Sequence, residues 1–177
     1  MLKKVITNPF RPLPRVLRRT PGWRHTAVVV LVNTQQNKLA LVLPKKAHPN
    51  GFIPPQGGMQ LPHESLAAAA RRELGEEVPS VRRPHPHARP RIDWHTCLSL
   101  GSVVNPHVRN GVPKHLHVAA FRASAGLELR PDGVECVDAA WVSCPDQLER
   151  YLRGASPLKV GLVFSALALL QEAGLMN

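Results

Sequence analysis

The sequence predicts an α/β fold, a mixed sheet with helices packed on it, and three observations carry that prediction. Two apolar runs, Thr26–Val32 (TAVVVLV) and Lys38–Leu43 (KLALVL), stand on either side of a polar stretch. Four alanines, Ala67–Ala70, lead into the charged run RRELGEE at 71–77, where helix propensity is high. Near the C-terminus, Leu158, Leu162, Ser165, Leu169 and Ala173 recur at helical spacing. A chain of 177 residues with 44% apolar side chains has material for one domain with a sizeable core.

Taken in order, Thr26–Val32 is β-branched and nearly continuous, the pattern of a strand buried on both faces. Asn33–Asn37 is a polar turn, and Lys38–Leu43 its neighbouring strand. Pro44–Gly51 reads as a loop, after which Phe52–Gln56 leads into the pair Gly57–Gly58. The alanine-rich helix follows, and Pro79 stops it. Thr96–Val104, Leu116–Phe121 and Cys136–Val142 read as further strands, Asp146–Leu152 as a short helix and Leu158–Ala173 as a closing amphipathic one.

Chemistry concentrates on the first helix. Glu73, Glu76 and Glu77 stand at i, i+3 and i+4, so all three carboxylates project from one face. Like charges at that spacing repel by roughly 0.2–0.5 kcal/mol per pair. A hard divalent cation with oxygen ligands would offset the repulsion; a solvated acidic face is the plainer alternative. The surrounding frame separates the two readings. Gly58, five residues, Glu64, seven residues, Arg72-Glu73-Leu74, one residue, then Glu76-Glu77 resembles the Nudix hydrolase signature. The chain departs from that signature at its end, with Val78-Pro79-Ser80 where the family continues through a glycine to an aliphatic residue.

The resemblance implies a Nudix-type α/β/α sandwich with a mixed sheet and a loop-helix. It assigns residues 24–177 to one domain, preceded by a basic arm at 1–23. It implies Mg²⁺ or Mn²⁺ held by Glu73, Glu76, Glu77 and the backbone at Gly58, with water attacking a phosphorus of a nucleoside diphosphate derivative. Glu73, Glu77 and Glu135 are the candidates for the base; a surface carboxylate ahead of a strand is the other reading of Glu135. Glu64 and Arg72 take the role of a structural ion pair. Gly57 gives the ligand close approach to the backbone. Lys45 and Lys46 would neutralise outer phosphates, against the plainer reading of two solvated lysines. Pro55-Gln56-Gly57-Gly58 resembles the PQGG variant of RNA pyrophosphohydrolases and dinucleoside polyphosphate hydrolases, although Pro54 replaces the usual bulky apolar residue. Substrates of that class are nucleotides, dinucleoside polyphosphates or RNA 5′ ends. A non-catalytic nucleotide- or RNA-binding module is the alternative, and the complete acidic trio argues against it.

Charge points to a polyanionic partner. The formal balance is +11, and no Asp or Glu precedes Glu64. Lys3, Lys4, Arg11, Arg15, Arg18, Arg19 and Arg24 lie in or beside a proline-punctuated N-terminal segment. Arg82–Arg91 (RRPHPHARPR) is a second basic run without apolar periodicity, hence a loop. Such segments steer phosphates, unless they are solubility charge alone. Aromatics at 5% are too few for a base-stacking platform, which favours a small nucleotide over RNA.

His115 and His117 alternate on one strand and share a face; packing or a substrate-facing wall accounts for them more simply than a metal pair. His85 and His87 lack a second pair at zinc-ligand spacing. Cys97, Cys136 and Cys144 are odd in number without CxxC spacing, as in a reduced cytoplasmic chain. No apolar run approaches the ~20 residues of a membrane span. Prolines 9, 12, 14 and 21 break any amphipathic transit helix, so the N-terminus reads as a basic arm.

Overall fold

The computed structural model describes residues 23–45, 51–81, 92–105, 113–124 and 126–176. The N-terminal arm, Lys46 and the Arg82–Arg91 run lie outside the described residues. Six strands form one mixed sheet: β1 (Arg24–Asn33), β2 (Lys38–Pro44), β3 (Gln56–Gly58), β4 (Ile92–Asn105), β5 (Lys114–Ala123) and β6 (Cys136–Ser143). Their order is β4-β5-β1-β2-β6, with β3 paired to β1 off that path. β1 runs parallel to β5; the other pairings are antiparallel.

β1 is central, and every residue of it beyond Arg24 is buried. Its alternating side chains serve two cores. Val28, Val30 and Val32 face the helix α3 (Pro157–Glu172), meeting Leu162, Val163, Ala166 and Leu170. Ala27, Val29 and Leu31 face the helix α1 (Leu66–Glu77), meeting Leu66, Ala69, Ala70 and Leu74. Each fully buried Val or Leu contributes about 1.5–3 kcal/mol, so helices are held on both faces of the sheet. The expected α/β/α sandwich is the observed architecture.

One edge of β1 is divided. β2 pairs with it only at Val32↔Leu39 and Asn33↔Lys38, while β3 takes Thr26, Val28 and the residue between them. Farther along β2, Val42 exchanges two backbone hydrogen bonds with Ile53, at 2.8 and 2.9 Å. The glycine turn is thereby sewn into the sheet directly before α1.

Ser65 caps α1: its Oγ accepts from Ala68 N at 3.1 Å, a contact worth about 1 kcal/mol. The helix runs through Glu77 despite the unusual residues that follow. Val78 leaves the helical conformation, with φ −131° and ψ 74°, and its N–H is on Leu74 O. A 3-10 turn, Pro79–Val81, comes next. Val78 and Val81 are both buried against the α1 core. An apolar exit anchored in the core thus replaces the left-handed glycine exit.

Boundaries differ from expectation where context overrides pattern. β4 starts at Ile92 because that residue pairs with Ala123, and Trp94 packs edge-on to Phe121, centroids 5.3 Å apart. The short helix, α2 (Leu148–Leu152), starts two residues late, after a turn closed by Gln147 N to Ser143 O. α3 buries Leu162, Val163, Ala166, Leu167, Leu169 and Leu170, a broader face than the expected stripe, and leaves Ser165 half-buried.

Candidate functional site

The site forms where α1 lies along β3. Glu73 and Glu77, one turn apart, are both buried, each 6% exposed, while Glu76 stands at the surface. Gly57 lies directly beneath Glu73: a Cβ there would overlap the Glu73 carboxylate. Gln56 N–H donates to Glu77 Oε2 at 3.0 Å. Gln56 Oε1 is buried with no hydrogen-bond partner among the described residues. Buried polar atoms are nearly always paired, so this oxygen marks a place where a ligand, ion or water belongs.

Arg72 ties the loop to the helix. Its Nε and one terminal nitrogen contact the two Glu64 oxygens at 2.9 and 3.0 Å, a bidentate pair. That same terminal nitrogen donates to Gly58 O at 2.8 Å. The other reaches Glu73 at 2.5 Å and Glu76 at 3.3 Å. Glu64 also accepts from Gln60 N at 2.7 Å. The Arg72 guanidinium holds the Glu64 carboxyl below the usual carboxylate range, and Glu64 in turn raises Arg72.

The two inner carboxylates behave differently. Burial pushes Glu73 up, Arg72 opposes the shift, and the charges of Glu76 and Glu135 add to it. Burial pushes Glu77 up to about 8; the Gln56 N–H opposes, and Glu73, Glu135 and Asp132 repel. A divalent cation would reverse these shifts by favouring the charged forms. The donors gathered here are carboxylate and peptide oxygens, the set that suits a hard ion such as Mg²⁺ or Mn²⁺.

Glu135 is exposed, and its N–H donates to Asp132 at 2.9 Å. Its charge reaches both inner carboxylates. Asp132 N–H donates to Glu77 O at 3.1 Å, which brings this loop against the end of α1. Lys45 is exposed, with its N–H on Glu135 O at 2.8 Å. A cation that the sequence does not flag has its charge coupled to Glu77. Burial and the neighbouring Lys114 bring Lys159 of α3 down to about 8, against the attraction of Glu77. Burial and Arg24 lower Lys114 as well, and the Arg24 guanidinium lies near Gly58. The three cysteines are free, and burial raises each thiol, so none is poised as a nucleophile.

A glycine turn, a bidentate Glu–Arg tie and paired carboxylates on a buried helix face agree with the family comparison: a NUDIX domain profile matches residues 23–157. The chain belongs to the NUDIX domain family. Solved structures share the fold of this Nudix domain. An Ap4A hydrolase binary complex from C. elegans has TM-score 0.60 at 16% identity, covering 84% of this chain and 98% of that one. The NUDIX domain of Shewanella oneidensis NrtR complexed with ADP ribose has TM-score 0.60 at 21% identity, covering 84% and 88%. A bifunctional NMN adenylyltransferase/ADP ribose pyrophosphatase from Francisella tularensis, complexed with AMP and a Mn ion, has TM-score 0.58 at 18% identity. This Nudix domain covers 43% of that longer chain and is itself covered over 94%. No curated protein sequence matches the chain. Among the described residues, no helix is long and apolar enough to cross a membrane.

Sequence reasoning missed Asp132, Lys159 and the Gln56 side chain. Lys159 does carry a signal, being the one charged side chain between Pro157 and Leu170 of α3. Asp132 carries none, because its place depends on how the loop before β6 folds onto α1.

Proposed function

We propose that this Nudix domain hydrolyses a diphosphate linkage in a nucleoside diphosphate derivative, with Mg²⁺ or Mn²⁺ held by Glu73, Glu76, Glu77 and the Gly58 carbonyl. The observation that carries the reading is the buried Glu73–Glu77 pair, set against the glycine turn at Gly57 and the Gln56 N–H. Two buried carboxylates, one on an arginine that also serves Glu64 and Glu76 and the other on a peptide N–H, are an unstable arrangement for apo folding alone. They are a suitable one for holding a cation. The Gly58 carbonyl, already accepting from Arg72, keeps a second lone pair for that purpose. A bound divalent ion would neutralise diphosphate charge and lower the pKa of attacking water.

The chain's own groups do the rest. Glu73, Glu77 and Glu135 are the candidates to accept the proton from the attacking water. Arg72 and Glu64 hold the turn and the helix in fixed relation. Lys159 and Lys114 offer half-buried positive charge to phosphate oxygens, with Lys45 and Lys46 as outer partners. Residues 1–23 are a basic arm and 24–177 the catalytic domain. A small nucleotide, such as the ADP ribose bound by the Shewanella NUDIX domain, suits the few aromatics better than a long RNA.

The test is a panel of dinucleoside polyphosphates, ADP-sugars, nucleoside triphosphates and triphosphorylated RNA, assayed with Mg²⁺ and with Mn²⁺. Turnover of a nucleoside diphosphate derivative is expected, lost in Glu77→Gln and Glu73→Gln while both stay folded. Saturable nucleotide binding without turnover would instead establish a binding module.

A further inference from the structure

Away from the carboxylates, the parallel pairing of β1 and β5 brings three histidines together. His25 lies directly across from His115, and His117 comes two residues along the same strand. One nitrogen from each of the three lies within 4.8 Å of the others. His25 Nδ1 and His117 Nε2 are 2.9 Å apart. The ring centroids of His115 and His117 are 4.2 Å apart, and those of His25 and His117 5.2 Å with nearly parallel planes. His25 and His117 are buried, and Ser102 Oγ of β4 sits 2.8 Å from His115 Nε2.

We propose that His25, His115 and His117 form a binding site for a borderline divalent transition ion of the Zn²⁺ class, distinct from the oxygen-rich site on α1. Imidazole nitrogen selects such ions, whereas Mg²⁺ and Mn²⁺ select oxygen. Ligand nitrogens around tetrahedral zinc stand roughly 3.3 Å apart, so side-chain rotation alone closes the observed gaps. All three residues sit on adjacent strands, which fixes their Cα positions without loop ordering. Three protein ligands leave a fourth position for water or an anion. Ser102 supplies the outer hydrogen bond that orients a ligating ring. Burial first, and then repulsion from the other two rings, brings His117 down to about 3, and His115 is also lowered; both are neutral near pH 7, as a ligand must be.

The location gives the ion a task. His25 O accepts from Met59 N at 3.0 Å, and Thr26 pairs with Gly58. An ion bridging β1 and β5 there fastens the strand against which the glycine turn is built. The inference does not depend on the proposed hydrolysis, because occupancy is read without substrate.

The experiment is a Co²⁺ titration of the full chain after chelator treatment, with excess Mg²⁺ to occupy oxygen ligands. A saturable tetrahedral absorption band at one Co²⁺ per chain is expected, displaced by Zn²⁺. His117→Gln and His115→Gln should each weaken binding at least about tenfold, and Ser102→Ala about 10–100-fold. His85→Gln with His87→Gln should leave the band intact. Because His117 is buried and its replacement puts folding at risk, the half-buried His115 provides the second arm, with Zn²⁺-induced thermal stabilisation as its readout. No saturable band, or a band that persists in His115→Gln, overturns the proposal and leaves the cluster as three packed neutral rings.

Discussion

Gly57→Ala tests whether the turn is a cradle for Glu73. Its neighbour Gly58 is chemically identical, yet the two sites are not equivalent. A methyl group at Gly57 would occupy the space of the Glu73 carboxylate, whereas at Gly58 it would meet only the Arg24 guanidinium, at 3.7 Å. Forcing a methyl into packed space costs typically about 1–3 kcal/mol. The obstructing atoms at Gly57 end a rotatable side chain, which places the cost near ~1 kcal/mol, or about 2–4 °C in Tm for a chain of this size. Function should suffer more. Glu73 swings out of position, and a displacement of about 1 Å at a reacting centre costs on the order of 10²-fold in rate. Differential scanning fluorimetry, Mg²⁺ titration and kcat are to be compared for Gly57→Ala, Gly58→Ala and wild type. Gly57→Ala should melt close to wild type, bind Mg²⁺ more weakly and lose about 10²-fold in kcat, while Gly58→Ala stays near wild type in all three. Equal behaviour of the two variants would refute the cradle.

Two further outcomes follow from the electrostatics. Glu64→Gln removes one side of a pair whose side chains are 12% and 25% exposed, so the cost falls between the surface and buried limits, about 1–3 kcal/mol; a variant that melts like wild type but has lost catalysis by orders of magnitude would place Glu64 in the chemistry. In chelated protein, Glu77 is raised from 4.5 to about 8, so its contribution is complete below pH 4.5 and lost as pH climbs through 8. His117 is lowered from 6.5 to about 3, so its contribution is complete above pH 6.5 and lost as pH falls through 3. Denaturant unfolding with EDTA should therefore show greatest stability between about pH 4.5 and 6.5, with Mg²⁺ flattening the alkaline decline; stability that rises from pH 6 to 8 without metal would contradict it.

Local pattern made the central strand, the glycine turn and the acidic helix legible, because each is set by neighbours within a few residues. Thr26–Val32 reads as a doubly buried strand, and the alanines leading into the carboxylates read as a helix, whose Ser65 cap the structure adds. What required tertiary structure was long-range pairing. His115 and His117 share a face by simple alternation, but their meeting with His25 depends on a parallel register across 90 residues. The lysines show the same limit: Lys45 lies near the turn in sequence but is exposed, while Lys159, whose charge reaches Glu77, arrives from the far end of the chain. α3 departed from its expected stripe because apolar residues surround it, leaving its orientation to the sheet rather than to its own periodicity.

The exit from α1 carries a consequence for how this protein diversifies. Val78 and Val81 act as two mooring points: the chain leaves the acidic helix, is made fast to the core twice, and only then enters the basic segment that begins at Arg82. Changes of length or charge beyond the second mooring cannot pull on Glu77, since any tension ends at Val81. The acidic helix and the segment next to it can therefore vary separately, each without disturbing the other's anchorage.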